Sequence, residues 1–136
     1  MKVKRKGTKA ERDLLDKFWR LGIGAVRVAG SGASAHPSTD IIAGFRGRIA
    51  VIEVKVSSKE AVYIPPEEVK SINSLASVIG AEPWVAVKFT SERRGNFYML
   101  KIDDARELKS GYLAIDLDLA RSKGISVEEF AKRIMA

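Results

Sequence analysis

Two apolar runs stand back to back in this chain, residues 40–45 (DIIAGF) and 48–56 (RIAVIEVKV), with only Arg46-Gly47 between them. A two-residue break that ends in glycine and joins runs rich in β-branched residues fits a hairpin turn. The second run is aliphatic over most of its length. So is Trp84 to Thr90 (WVAVKFT), which reads as a strand buried on both faces. Strands of this kind need cover on both sides, so the expected architecture is α/β, a mixed sheet flanked by helices.

The covering elements can be read from their periodicity. Thr8-Lys9-Ala10-Glu11 has the form of a capping box and is expected to open a helix. Leu14, Leu15, Phe18 and Leu21 follow at helical spacing, and Gly22 ends the run. Residues 25–30 (AVRVAG) read as a short strand, and Ser31 to Thr39 as a loop of small residues broken by Pro37. Pro65-Pro66-Glu67-Glu68 starts a second helix over residues 66–79, with Val69, Ile72, Ala76 and Ile79 on one face. Residues 96–102 form a fifth strand after the charged turn Glu92-Arg93-Arg94-Gly95, and Ser126-Val127-Glu128-Glu129 caps a terminal helix. Trp19 and Trp84 are expected in the core. With no repeat or long linker, residues 1–136 are read as one domain with a five-stranded sheet.

Composition narrows the chemistry. The chain has no cysteine and one histidine, His36, which excludes thiolate metal sites and makes a zinc cluster or a Ser–His relay a poor fit. No apolar run is long enough to cross a bilayer, and the basic N-terminus has no apolar segment behind it, so an intracellular protein is expected. The formal net charge is +7, which suits a polyanionic partner. Residues 1–12 carry six Lys or Arg against one Glu, whereas residues 103–136 carry six basic and seven acidic groups. The positive charge therefore sits in the N-terminal and central parts, where it serves either a nucleic acid or solubility.

Glu53 and Lys55 lie two apart in the apolar strand, so they share a face about 7 Å apart along it. Two readings stand: the pair does chemistry, or it lies exposed at the strand's end. Asp40 bears on the choice. Counting back equally from Arg46-Gly47, Asp40 falls opposite Glu53 at the open end of the hairpin. Two carboxylates there would repel unless a hard cation such as Mg²⁺ joined them. The lysine could orient or deprotonate a metal-bound water, or stabilise charge on a phosphate under attack. Glu11, at the margin of the first helix's buried stripe, either completes this site or only serves the capping box. Ser31, in the Gly30-Ser31-Gly32 loop, and His36 lie where backbone or side chain could approach phosphate. Arg5 and Lys6 in the basic N-terminus, with Arg12, Arg27, Lys59, Arg93 and Arg94, are candidate DNA contacts.

Asp40, Glu53-Val54-Lys55 and a preceding helical Glu11 resemble the PD-(D/E)xK nuclease pattern. The stretches RKGTKAERDLL, AVRVAGSG, STDIIAG, IAVIEVKV and VAVKF are similar to the archaeal Holliday-junction resolvases. The resemblance implies a restriction-endonuclease-like fold and a two-fold homodimer that nicks opposed strands of a four-way DNA junction with Mg²⁺ or Mn²⁺. It implies metal ligation by Asp40, Glu53 and the backbone carbonyl of Val54, with Glu11 completing the site and Lys55 serving the attacking water. Ser31 matches a loop serine implicated in some members, and Arg12 and Arg27 match basic positions expected to face DNA. Thr39 stands where many members have proline. A sliding-clamp contact is known in the family, although no clamp-binding peptide is evident at this C-terminus. The apolar face of helix 66–79, with Ser71, Ala76 and Ser77, is either part of the dimer interface or packed on the sheet. Another PD-(D/E)xK substrate and a non-catalytic basic nucleic-acid-binding module are the alternatives.

Overall fold

The computed structural model describes residues 2–29 and 35–136, with side chains from residue 8 onward. The hairpin forms as its sequence dictates. Strand β2 (Ile41–Phe45) turns at Arg46 and Gly47 into β3 (Arg48–Ser57). Both turn residues have positive φ, 47° and 88°, the combination whose twist matches the flanking strands. The pairing runs from Phe45 opposite Arg48 to Ile41 opposite Ile52. One step further along this register sets Asp40 against Glu53.

Four antiparallel or parallel pairings build the main sheet around this hairpin. Strand β1 (Gly24–Arg27) lies antiparallel to β2 at one edge. On the other side β5 (Glu82–Phe89) runs parallel to β3, and β6 (Phe97–Lys101) closes the order β1-β2-β3-β5-β6. This is the mixed five-stranded sheet expected. The parallel step needs a crossover, supplied by β4 (Ala61–Ile64) and helix α2 (Pro66–Ile79). Strand β4 does not join the main sheet. It pairs with β8 (Leu113–Asp116), which also pairs with β7 (Arg106–Glu107), in a second small sheet absent from the sequence reading.

Cover comes from both sides. Helix α1 (Lys2–Arg20) and the terminal helix α4 (Val127–Met135) bury Leu14, Phe18, Phe130 and Ile134 against Ala50, Ile52 and Val54. On the opposite face, α2, α3 (Leu117–Lys123) and the small sheet bury Ile72, Ala76, Ala120 and Ile115 against Val51, Val85 and Val87. Alternation along β3 then places Glu53 and Lys55 on the α2 face with Val51.

Two expectations need correcting, and one open choice is decided. Helix α1 begins at Lys2, so Thr8 and Glu11 lie inside it instead of capping it. The Lys and Arg residues ahead of Thr8 lose little freedom in a helix, and Gly7 costs only about 1 kcal/mol against alanine. Trp19 is 59% exposed, with its indole N–H donating to the Ala25 carbonyl at 3.0 Å. It sits one residue off the stripe of Ala10, Leu14 and Phe18 that faces the sheet. The apolar face of α2 packs on the sheet, with Ile72 and Ala76 buried. Between the two readings of that face, packing is the one observed. The terminal helix is capped by the expected serine: Ser126 Oγ accepts from the Glu129 N–H at 3.0 Å.

Candidate active site

Asp40 follows buried Thr39, whose hydroxyl donates to the Ile52 carbonyl at 2.8 Å and ties the end of the hairpin together. The Asp40 carbonyl accepts from the Val28 N–H at 2.9 Å, and its carboxylate Oδ2 accepts from the Val54 N–H at 2.9 Å. The aspartate is therefore fixed by both neighbouring strands. Lys55 Nζ lies 3.7 Å from Glu53 Oε2 and donates at 2.6 Å to Oε1 of Glu68, in the first turn of α2. Glu53 and Lys55 are both mostly buried, with side chains 13% and 23% exposed. Asp40, Glu53, Lys55 and Glu68 thus share the α2 face of the sheet.

Glu11 approaches from the other face. Its carboxylate accepts from Arg27 Nε at 2.8 Å, an ion pair between α1 and the edge strand β1. Burial and the nearby charge of Asp40 raise the Glu11 pKa, partly offset by Arg27. Asp40 acts in the same way on Glu53, so it stands electrostatically between the two glutamates. Burial, then the Asp40 charge, push the Glu53 carboxyl up to about 9, with Lys55 opposing the rise and Glu68 adding to it. For Lys55, burial works against the charge. The hydrogen bond to Glu68 and the carboxylates of Glu53, Glu68 and Asp40 outweigh it, and the pKa lies above the usual lysine value. Lys55 is therefore an ammonium at neutral pH, suited to donating hydrogen bonds and not to removing a proton.

Among the described residues, no three acidic or imidazole side chains converge as a ready-made metal cage. Two facing carboxylates are nonetheless what Mg²⁺ commonly takes, since it keeps most of its waters and uses one or two protein carboxylates. Asp40 and Glu53 fit that pattern, and their mutual repulsion is relieved by a cation. Glu11, on the other face, is paired with Arg27 and lies close enough to Asp40 for the two charges to interact.

The remaining candidates separate clearly. Arg12 and Lys59 are exposed, as are His36, Arg93 and Arg94. Arg27, expected to face DNA, gives its Nε to Glu11. Ser31 and the side chains of Arg5 and Lys6 lie outside the described residues. Sequence reasoning assigned Glu68 only to the helix start, and its contact with Lys55 depends on how α2 packs, which no local pattern reveals.

The family model for archaeal Holliday junction resolvases (hjc) matches residues 2–136. The chain belongs to this family. Among resolvase relatives, a crossover junction endodeoxyribonuclease Hjc of Archaeoglobus fulgidus is 42% identical over 91 residues, 67% of this chain and 67% of that protein. One from Methanocaldococcus jannaschii is 35% identical over 88 residues, 65% of this chain and 62% of its own length. A solved structure of Archaeoglobus fulgidus Hjc, described as a Holliday junction resolvase from an archaeal hyperthermophile, superposes with a TM-score of 0.82 at 32% identity. That match covers 92% of this chain and 99% of the solved one, in keeping with the restriction-endonuclease-like α/β architecture.

Proposed function

We propose that this chain is a structure-selective endodeoxyribonuclease that resolves four-way DNA junctions by nicking two opposed strands, with Mg²⁺ as its cofactor and Mn²⁺ able to replace it. The observation that carries this is the meeting of Asp40, Glu53 and Lys55 at the open end of one hairpin, in a member of the resolvase family. Asp40, Glu53 and the Val54 carbonyl would hold the ion, which when bound supplies Lewis-acid chemistry at the scissile phosphate. Lys55, held as an ammonium, donates to phosphate oxygens as negative charge builds on them and helps orient the attacking water. Glu11, fixed by Arg27, acts at one remove by setting the field around Asp40. Ser31, His36 and the basic groups Arg5, Lys6, Arg12 and Lys59 contact the DNA backbone, with Arg27 linking that surface to the site.

A junction needs two cuts, and one chain of this size carries one such site. A two-fold homodimer supplies the second. With the inner face of α2 committed to the core, the outer side of its last turn, where Val78 is 84% exposed, is the surface we assign to the partner copy.

The test compares a labelled four-way junction, plain duplex and a flap, with Mg²⁺ or with EDTA, using wild type and Glu53→Ala. Paired symmetric nicks in the junction alone are expected, dependent on metal and on Glu53, with junction binding kept by the variant. Binding is expected to weaken steeply with salt as phosphate counterions are released. Equal cutting of plain duplex would refute junction selectivity, and binding without any cutting would identify an inert nucleic-acid-binding module.

A further inference from the structure

We infer that Glu68 is a positioning residue for Lys55, and that the first two turns of α2 are built to brace the catalytic strands. This rests on the nuclease reading above and deepens it. Lys55 has a long side chain with several freely rotating bonds, and holding its ammonium at one point requires a partner. Glu53 lies 3.7 Å away, too far for a good hydrogen bond, whereas Glu68 accepts at 2.6 Å. Glu68 is only partly exposed, at 39%, and comes from a different element, so the contact is set by tertiary packing.

The geometry of α2 supports this. Pro65 and Pro66 start the helix with fixed backbone angles, which directs its first turn back toward β3. Three residues beyond Glu68, on the same side of the helix, Ser71 Oγ accepts from the Ser38 N–H at 2.7 Å and donates to the Ser38 carbonyl at 3.1 Å. Ser38 lies two residues before Asp40. One helix face therefore holds the lysine with one side chain and the approach to the aspartate with another. A glutamate recruited only to favour the helix dipole would need neither contact.

The experiment measures single-turnover cleavage of a four-way junction at saturating protein and Mg²⁺, junction affinity, and the ¹⁵N spectrum of the lysine ammonium groups. Wild type, Glu68→Ala and Glu68→Gln are compared, with Lys55→Arg used to assign the Lys55 signal. For Glu68→Ala, we expect the cleavage rate to fall by about 10- to 100-fold, with junction affinity unchanged and the Lys55 signal lost into that of exposed lysines. Glu68→Gln, which keeps an oxygen acceptor, is expected to recover part of the rate and a distinct Lys55 signal. Cleavage by Glu68→Ala within twofold of wild type, or an unchanged Lys55 signal, overturns the assignment. So does a loss of junction affinity matching the loss of rate, which would make Glu68 a DNA contact. Failure of wild type itself to cut the junction overturns the nuclease reading instead, and the Lys55 signal then still decides whether Glu68 holds the lysine.

Discussion

Burial and the facing Asp40 carboxylate push the Glu53 carboxyl up to about 9, from an ordinary value of 4.5. Between those two values the metal-free folded protein holds a proton at Glu53 that the unfolded chain releases. Linkage then requires the Glu53 contribution to stability to be fullest below about 4.5 and to be lost as pH rises toward 9. Glu53→Gln keeps the shape and removes the titration. In EDTA, the melting-temperature advantage of wild type over Glu53→Gln should therefore shrink or reverse between pH 5 and 9. Mg²⁺ at pH 8 should then raise the melting temperature of wild type more than that of the variant. A difference between the two proteins that stays flat or grows with pH contradicts this account. At this scale the site was partly legible. Asp40, Glu53 and Lys55 follow from strand alternation and hairpin register, which are local rules. Glu68 and the Arg27 partner of Glu11 were not legible, because each contact joins elements whose relative placement no nearby residue specifies.

Among elements, the β2–β3 hairpin does most to build the candidate site, and its turn glycine differs in kind from Gly124, a glycine held by lack of space. Gly47 has φ of 88° with nothing within 4 Å of where a Cβ would sit, so its constraint is conformational alone. Gly124, at the end of α3, has an ordinary φ of −74°, but an added Cβ would meet the Ala120 carbonyl oxygen at 2.3 Å. Gly47→Ala should therefore cost about 1–2 kcal/mol, the penalty for a left-handed residue with a side chain. Gly124→Ala should cost more, because the obstruction is backbone and a turn of α3 must shift. Urea unfolding of both variants checks the order, and equal losses would show that space at Gly124 is not the constraint. The same contrast explains which elements could be read in advance. Strands β2, β3 and β5, the centre of the main sheet, announce themselves by apolar runs and a glycine turn. Strands β4, β7 and β8 have only four, two and four residues, and they exist because Val62, Ile64, Leu113 and Ile115 find a common core. The start of α1 was misplaced for a related reason: a capping box is a permissive signal, and good helix formers ahead of it carried the helix back to Lys2.

For the whole molecule, the two faces of the sheet are unequal, and the inequality bears on assembly. The α1 and α4 face encloses a continuous aromatic core, with Phe130 stacked edge-on to Trp84 at 4.9 Å and tilted against Phe18 at 5.5 Å. On the α2 face the helix covers β3 and β5, while Val26 on the edge strand remains 56% exposed and Val78 at the far end of α2 is 84% exposed. Apolar side chains left open on this face, which also carries Glu53 and Lys55, are where a second copy would bring two active sites into a fixed relation. Val78→Asp puts a charge into that contact without disturbing a buried residue. The expected result is a fall in solution mass by light scattering from dimer to monomer, with a single cooperative melting transition kept at a somewhat lower temperature, since association no longer adds to stability. The cleavage pattern should change with it: single nicks persist, while the second, opposed cut slows and nicked junctions accumulate. If the variant stays dimeric and still cuts both strands together, the outer side of α2 is not the dimer contact. A monomer that nevertheless makes paired cuts would be the more serious result, since it would remove the symmetry argument for two sites.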